Sequence, residues 1–285
     1  MRIALSAVVL LGLAVSSIWL LQPDLVIRAL HLWFVRTETE DALRTRLMPH
    51  VDLRVPDSPG PHRLVVLVPG CLGWRGQMEH WRQFFSERGF ATLHVDSFTP
   101  RGLTTPRDLE AQVCEGQSVF GFERAGDLLA VLRVVWRRAD LAGPTVFVGE
   151  SHGGWTVSDF YALAGGGLVP PNIAGGVAAP KDRLGPAFLF YPYCGFGSLD
   201  GDAGWPPGVK LTVFLGGKDT NTDLVPCRQR IARLKSRGAA VNEVVFPDAT
   251  HWFDNDRDFD LLPHRFDESA TRDAGQHIDA VLAGR

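Results

Sequence analysis

The chain has 285 residues, 45% of them hydrophobic, and a formal charge of −3. That length holds one large domain or two small ones, with apolar residues enough for a sizeable core. No basic stripe of the kind nucleic-acid binding needs is present, and neither a collagen-like nor a disordered composition fits.

The N-terminus stands apart. After Arg2, the stretch Ile3 to Leu21 carries no charge. As a helix rising about 1.5 Å per residue it nearly spans a bilayer core of about 30 Å. Signal-peptide cores are shorter, about 7–15 residues. Ala14-Val15-Ser16 is a weak cleavage pattern, and Ile18-Trp19-Leu20-Leu21 continues the apolar run past it. Residues 1–22 therefore read as an uncleaved signal anchor in preference to a cleaved signal peptide. Either reading exports the rest, to the periplasm if the source is bacterial, tethered in the first case and secreted in the second. Residues 23–50 read as a helical or irregular linker and 51–285 as one domain.

Val51–Val55 alternates, which predicts an edge strand. Leu64–Val68 is a continuous apolar run before Pro69-Gly70, which suits a strand buried on both faces. Met78–Arg88 has helical spacing and stops at Gly89. Phe90–Val95 is the next strand, and residues 96–117 read as a polar loop bearing Pro and Gly. An amphipathic helix is expected over 126–138, a buried strand over 145–148, and a helix after Ser151 to Ala162. Strands follow at 187–191 and 211–215, a helix at 223–237, a strand at 241–246 and a closing helix at 270–283. Alternating strands and helices predict an α/β domain with a mostly parallel sheet and helices on both faces. Ligands in such sheets bind beyond the carboxyl ends of the strands.

The chemistry-bearing motifs fall at those ends. Gly149-Glu-Ser151-His-Gly153 follows a strand and precedes a helix, the context of a G-x-S-x-G nucleophile elbow. The bland alternative for Ser151 is a helix N-cap. A serine nucleophile needs a base, and in this fold the chain order is Ser, then Asp or Glu, then His. His251 follows the strand 241–246, whereas His264 sits in a polar loop and His277 inside the last helix. Asp219, after the strand 211–215, is the expected acid. Asp223 is its rival, with helix capping as its other reading, and Asp248 reads as a turn residue. Two backbone amides would receive an oxyanion: that of His152 and, from Pro69-Gly-Cys71-Leu-Gly73, that of Cys71. Trp74, Phe98, Trp155 and Trp252 lie beside these loops and are candidate pocket residues, with core packing as the competing role. Four cysteines allow three disulfide pairings in an exported protein, and none has the spacing of a zinc site. Neither a metal nor an organic cofactor is expected.

Three further segments carry a resemblance. Asp96-Ser-Phe-Thr-Pro-Arg-Gly102, Gly216-Gly-Lys-Asp219 with Cys227 downstream, and Phe246-Pro-Asp-Ala-Thr-His251-Trp-Phe-Asp254 resemble, in order, segments of the dienelactone hydrolase-like group of α/β-hydrolases. The likeness covers about residues 60–255. It implies the α/β-hydrolase fold and hydrolase chemistry. It departs at the nucleophile, which is cysteine in dienelactone hydrolases proper and Ser151 here, and the Pro69-Gly70-Cys71 segment lacks the acidic residue that assists that cysteine. Dienelactone is therefore not implied as substrate. The resemblance sharpens the cysteine pairing to Cys71–Cys114 and Cys194–Cys227, which would stiffen the rim of the site. The function expected is cleavage of a small-molecule carboxylic ester, lactone or thioester through an acyl-enzyme on Ser151. A peptidase or amidase on the same residues and a non-catalytic, membrane-tethered binding protein are the alternatives. The physiological substrate and the oligomeric state are not legible.

Overall fold

The computed structural model describes residues 35–199, 204–256 and 264–284. The expected anchor over 1–22 lies outside them; among the described residues no helix is long and apolar enough to cross a membrane. In chain order the strands are β1 (Glu38–Thr39), β2 (Val51–Arg54), β3 (Leu64–Val68), β4 (Ala91–Val95), β5 (Thr145–Glu150), β6 (Ile173–Ala174), β7 (Leu184–Phe190), β8 (Leu211–Gly216) and β9 (Val241–Phe246). The helices are α1 (Glu40–Leu47), α2 (Gly76–Ser86), α3 (Pro106–Leu109), α4 (Gly121–Val135), α5 (His152–Gly165), α6 (Leu224–Ser236) and α7 (Glu268–Leu282).

Seven strands form one sheet in the order β2-β4-β3-β5-β7-β8-β9, while β1 and β6 make a separate parallel pair. Among the described strands of this sheet only β2 runs antiparallel, at the edge. The middle strands are apolar on both faces because both are covered. Leu64, Val66 and Val68 of β3 face the core built with α4 and α5. Val65 and Leu67, pointing the other way by the period of two, face Met78, Trp81 and Phe85 of α2 and Ala270, Ala274 and Ile278 of α7. The chain winds outward from β3 to β4, then returns to β5 on the other side of β3. That reversal opens the crevice where α/β sheets hold their ligands.

Two expectations need correction. Residues 38–50, read as part of a linker, are folded onto the domain. Thr39 caps α1 by accepting from the Ala42 amide, and Leu43 and Leu47 are fully buried in the larger core. Residues 96–117, read as a plain loop, hold a 3-10 turn at Thr99–Arg101, the short α3 and a π-helical turn at Glu110–Cys114.

Candidate active site

Ser151 sits at the junction of β5 and α5 with φ 49° and ψ −113°. Non-glycine residues rarely adopt positive φ, and such strain persists only where the surroundings enforce it. The enforcement is visible. The Ser151 amide donates to the Phe190 carbonyl at 2.9 Å, and the Ser151 carbonyl accepts from Tyr193 N at 3.1 Å. The flanking glycines are steric necessities. A Cβ on Gly149 would lie 2.5 Å from the Gly153 carbonyl oxygen, and one on Gly153 would lie 2.0 Å from that of Val68. Ser151 is thus turned out at the carboxyl end of the sheet.

His251 follows β9 and is 6% exposed. Its Nδ1 lies 2.7 Å from Asp219 Oδ2. Asp219, which follows β8, is held by further donors: the amides of Asn221 and Thr222 to Oδ1 at 2.8 and 3.0 Å, and the Thr222 hydroxyl to Oδ2 at 2.7 Å. Burial works against its charge, but the His251 and Thr222 hydrogen bonds outweigh it and hold the carboxyl below the usual range. The rivals are occupied elsewhere. Asp223 caps α6, accepting from the Val225 amide at 2.9 Å. Asp248 pairs with Lys218 at the surface.

The segment after β3 closes a tight turn, Gly73 N donating to the Gly70 carbonyl at 3.2 Å. Cys71 in this turn and His152 at the start of α5 both line the pocket that contains Ser151 and His251. Behind them lies Arg124, 1% exposed. It donates to the Pro69 carbonyl and to His152 Nδ1, each at 3.0 Å, so one guanidinium holds both expected oxyanion segments. Burial lowers it to about 9, with Asp127 and Asp96 supporting its charge, and it stays cationic at neutral pH. Burial and this same arginine push the His152 imidazole well below its ordinary range, so it is a neutral acceptor.

The pocket has a volume of about 380 Å³. Aromatic rings form much of its wall: Phe120, Trp155, Tyr193 and Phe196. Glu110 and Glu115 are its charged members, and among the described residues no lysine or arginine lines it. Of the expected pocket residues, Trp155 is in this wall, and Trp252 lines a smaller cavity beside Ser151. Trp74 and Phe98 do not line either. Trp74 packs on His94 at 4.6 Å and lies under the Arg82 guanidinium, while Phe98 is buried with Leu109, Val113 and Val119. Phe120, Tyr193 and Phe196 were not legible; their positions come from loop folding.

The segments behind the resemblance have structural work. Asp96 accepts from the amides of Phe98 and Thr99, and Arg101 forms a two-point ion pair with Asp127 of α4. Disulfides join Cys71 to Cys114 and Cys194 to Cys227. The first ties the turn after β3 to the π-helical wall of the pocket across 43 positions of sequence. Replacing Cys71 and Cys114 by serine together is expected to cost about 2–4 kcal/mol of stability. Urea unfolding of the double variant against the oxidised parent measures it.

Fold and site define an α/β-hydrolase architecture. No protein-family model matches the chain, and no curated protein matches it in sequence. Solved structures do. A proposed dienelactone hydrolase from Klebsiella pneumoniae is 17% identical, with a TM-score of 0.61 over 82% of this chain and 92% of that one. The dienelactone hydrolase-like promiscuous phosphotriesterase P91 from metagenomic libraries is 13% identical, with a TM-score of 0.62 over 82% and 91%. Esterase 2 of Thermogutta terrifontis, phosphonylated by cyclosarin, is 19% identical, with a TM-score of 0.54 over 82% and 88%. The likeness is one of fold, the α/β-hydrolase fold as dienelactone hydrolase-like proteins and esterases have it.

Proposed function

We propose that this chain is an exported serine hydrolase that cleaves small carboxylic esters, lactones or thioesters through an acyl-enzyme. The observation that carries the reading is the Nδ1 to Oδ2 contact of 2.7 Å between His251 and Asp219, with His251 sharing a pocket with Ser151 on its strained turn. In this mechanism Ser151 Oγ attacks the substrate carbonyl while His251 Nε2 takes the hydroxyl proton. Asp219 keeps the Nδ1 proton in place and stabilises the imidazolium. The amides of Cys71 and His152 receive the oxyanion. His251 returns the proton to the leaving alcohol, then takes one from water, whose oxygen attacks the acyl carbon. Collapse releases the acid and regenerates the Ser151 hydroxyl. The esterases among the structural neighbours support ester chemistry. Two disulfides support an oxidising compartment. The uncharged N-terminal run supports membrane attachment outside the cytoplasm.

The pocket bears on substrate class. Its aromatic wall suits an apolar or aromatic acyl group, and its carboxylates disfavour an anionic one. p-Nitrophenyl esters of increasing acyl length, with a succinate half-ester as the anionic member, test this on the full-length chain. Neutral acyl groups are expected to outrun the anionic one by about threefold to tenfold at low salt, with the gap shrinking as salt rises. Equal inertness of wild type and Ser151→Ala on all esters would remove the esterase reading.

A further inference from the structure

Ser151 also borders a smaller cavity of about 30 Å³. Ser151, His251, Gln77 and Glu150 are all in its wall. Both of the latter are 1% exposed. Gln77 Nε2 donates to Glu150 Oε2 at 2.9 Å. The remaining oxygen of each, Gln77 Oε1 and Glu150 Oε1, has no hydrogen-bond partner among the described residues. Leaving buried oxygens unpaired is costly, and native structures pair nearly all of them, often with a buried water. The cavity exceeds the roughly 10–15 Å³ that one water needs on this measure, and Gln77 and Glu150 are among its lining residues.

A direct carboxyl–carboxyl solution is not needed by the neighbours. Asp254, the nearby acid, has each oxygen bonded, one to Tyr191 Oη at 2.7 Å and one to Trp81 Nε1 at 2.7 Å. Burial raises Asp254 above the usual carboxylate range, and these two donors only partly offset it. Burial, then the Asp254 carboxyl beside it, push Glu150 well above the usual carboxylate range. A protonated Glu150 presents an O–H, and Gln77 presents a carbonyl, so the pair offers one donor and one acceptor to the same space.

We propose that this cavity is a water-holding site for the second half of the reaction, in which Glu150 and Gln77 hold a water beside Ser151 and His251 for attack on the acyl-enzyme. It rests on the ester-hydrolysis reading above. The water accepts from Glu150 and donates to Gln77, keeping one O–H for His251. On deacylation His251 Nε2 takes that proton as the water oxygen bonds to the acyl carbon. The carbon–oxygen bond to Ser151 then breaks, Ser151 recovers the proton from His251, and the carboxylic acid leaves. Glu150 and Gln77 thus act as positioning residues, through the water, and serve deacylation only.

The experiment separates the two half-reactions in the full-length chain with p-nitrophenyl butyrate. Acylation is read from p-nitrophenol release with enzyme in excess, and deacylation from decay of the acylated mass after quenching. Glu150→Leu and Gln77→Leu are each expected to slow deacylation by about 10- to 30-fold, the worth of one or two ordinary hydrogen bonds, and to leave acylation within about threefold. The acyl-enzyme should then accumulate. Glu150→Gln keeps a neutral donor and is expected to hold both rates near wild type. Equal slowing of both half-reactions, or no change in deacylation in either leucine variant, would overturn the water site. Gln77 lies on α2 and Glu150 on β5, so one variant carries the test if the other does not fold. Failure of the underlying reading looks different: wild type itself would form no acylated species and would match Ser151→Ala.

Discussion

Ser151→Ala is expected to lower kcat by about five to six orders of magnitude, since the nucleophile works as a unit with its base. KM should change little, because the aromatic wall and the turn after β3 are untouched. The folded state should be retained. Alanine meets the same strain at φ 49° that serine does, so the replacement neither relieves nor adds it. Ser151→Gly makes the complementary point. Glycine accepts positive φ without a Cβ clash, so this variant is expected to lose the same activity and to gain about 1 kcal/mol of stability. Parallel urea unfolding and ester kinetics on the two variants would separate chemistry from strain. An alanine variant that keeps activity would remove Ser151 from the mechanism.

Asp219→Asn is expected to lower kcat by about four orders of magnitude, with KM again close to wild type. The surroundings dictate which way the amide turns. Oδ1 of Asp219 accepts from two backbone amides, those of Asn221 and Thr222. The oxygen of an asparagine must take that place, which leaves its NH2 facing His251 Nδ1 and the Thr222 hydroxyl. His251 would then accept at Nδ1 and carry its proton on Nε2, the nitrogen that has to receive the Ser151 proton. The base is present in the wrong tautomer. Asp223→Asn is the control. Asp223 caps α6, asparagine caps as well, and kcat should stay within about threefold. A large loss in the control and a small one in Asp219→Asn would reverse the assignment.

The central strands were legible because they are buried on both faces, and an apolar run such as Leu64–Val68 permits little else. The strand-end positions of Ser151, Asp219 and His251 followed from those strands, since each lies within a few residues of one. Side-chain direction in the loops was another matter. Trp74 is as close in sequence to the site as Trp155, and Phe98 follows β4 at the same end of the sheet, yet both turn into the fold. The His94 ring and Arg82 guanidinium take up the Trp74 face, and Phe98 completes a small cluster under residues 109–119. No period governs a loop, so nothing in the spacing marks which aromatic faces a pocket. Phe120, Tyr193 and Phe196 escaped for the same reason. The helix at Glu40–Leu47 did leave a signal, a capping threonine at 39 ahead of Leu43 and Leu47 one helical turn apart. The short run of charged residues around them masked it. Glu150 was visible only as the variable position of the elbow; its burial, and its pairing with Gln77 from α2, are properties of the fold.

Covalent labelling reads the nucleophile directly. The full-length chain is treated with a fluorophosphonate, digested and mapped by peptide mass spectrometry, with and without prior incubation with a hydrolysed substrate's parent ester. One phosphonylated residue is expected, Ser151, with labelling slowed by the ester and abolished in His251→Ala. Absence of labelling in folded wild-type protein, or a label on another residue that persists in Ser151→Ala, would contradict Ser151 as the nucleophile.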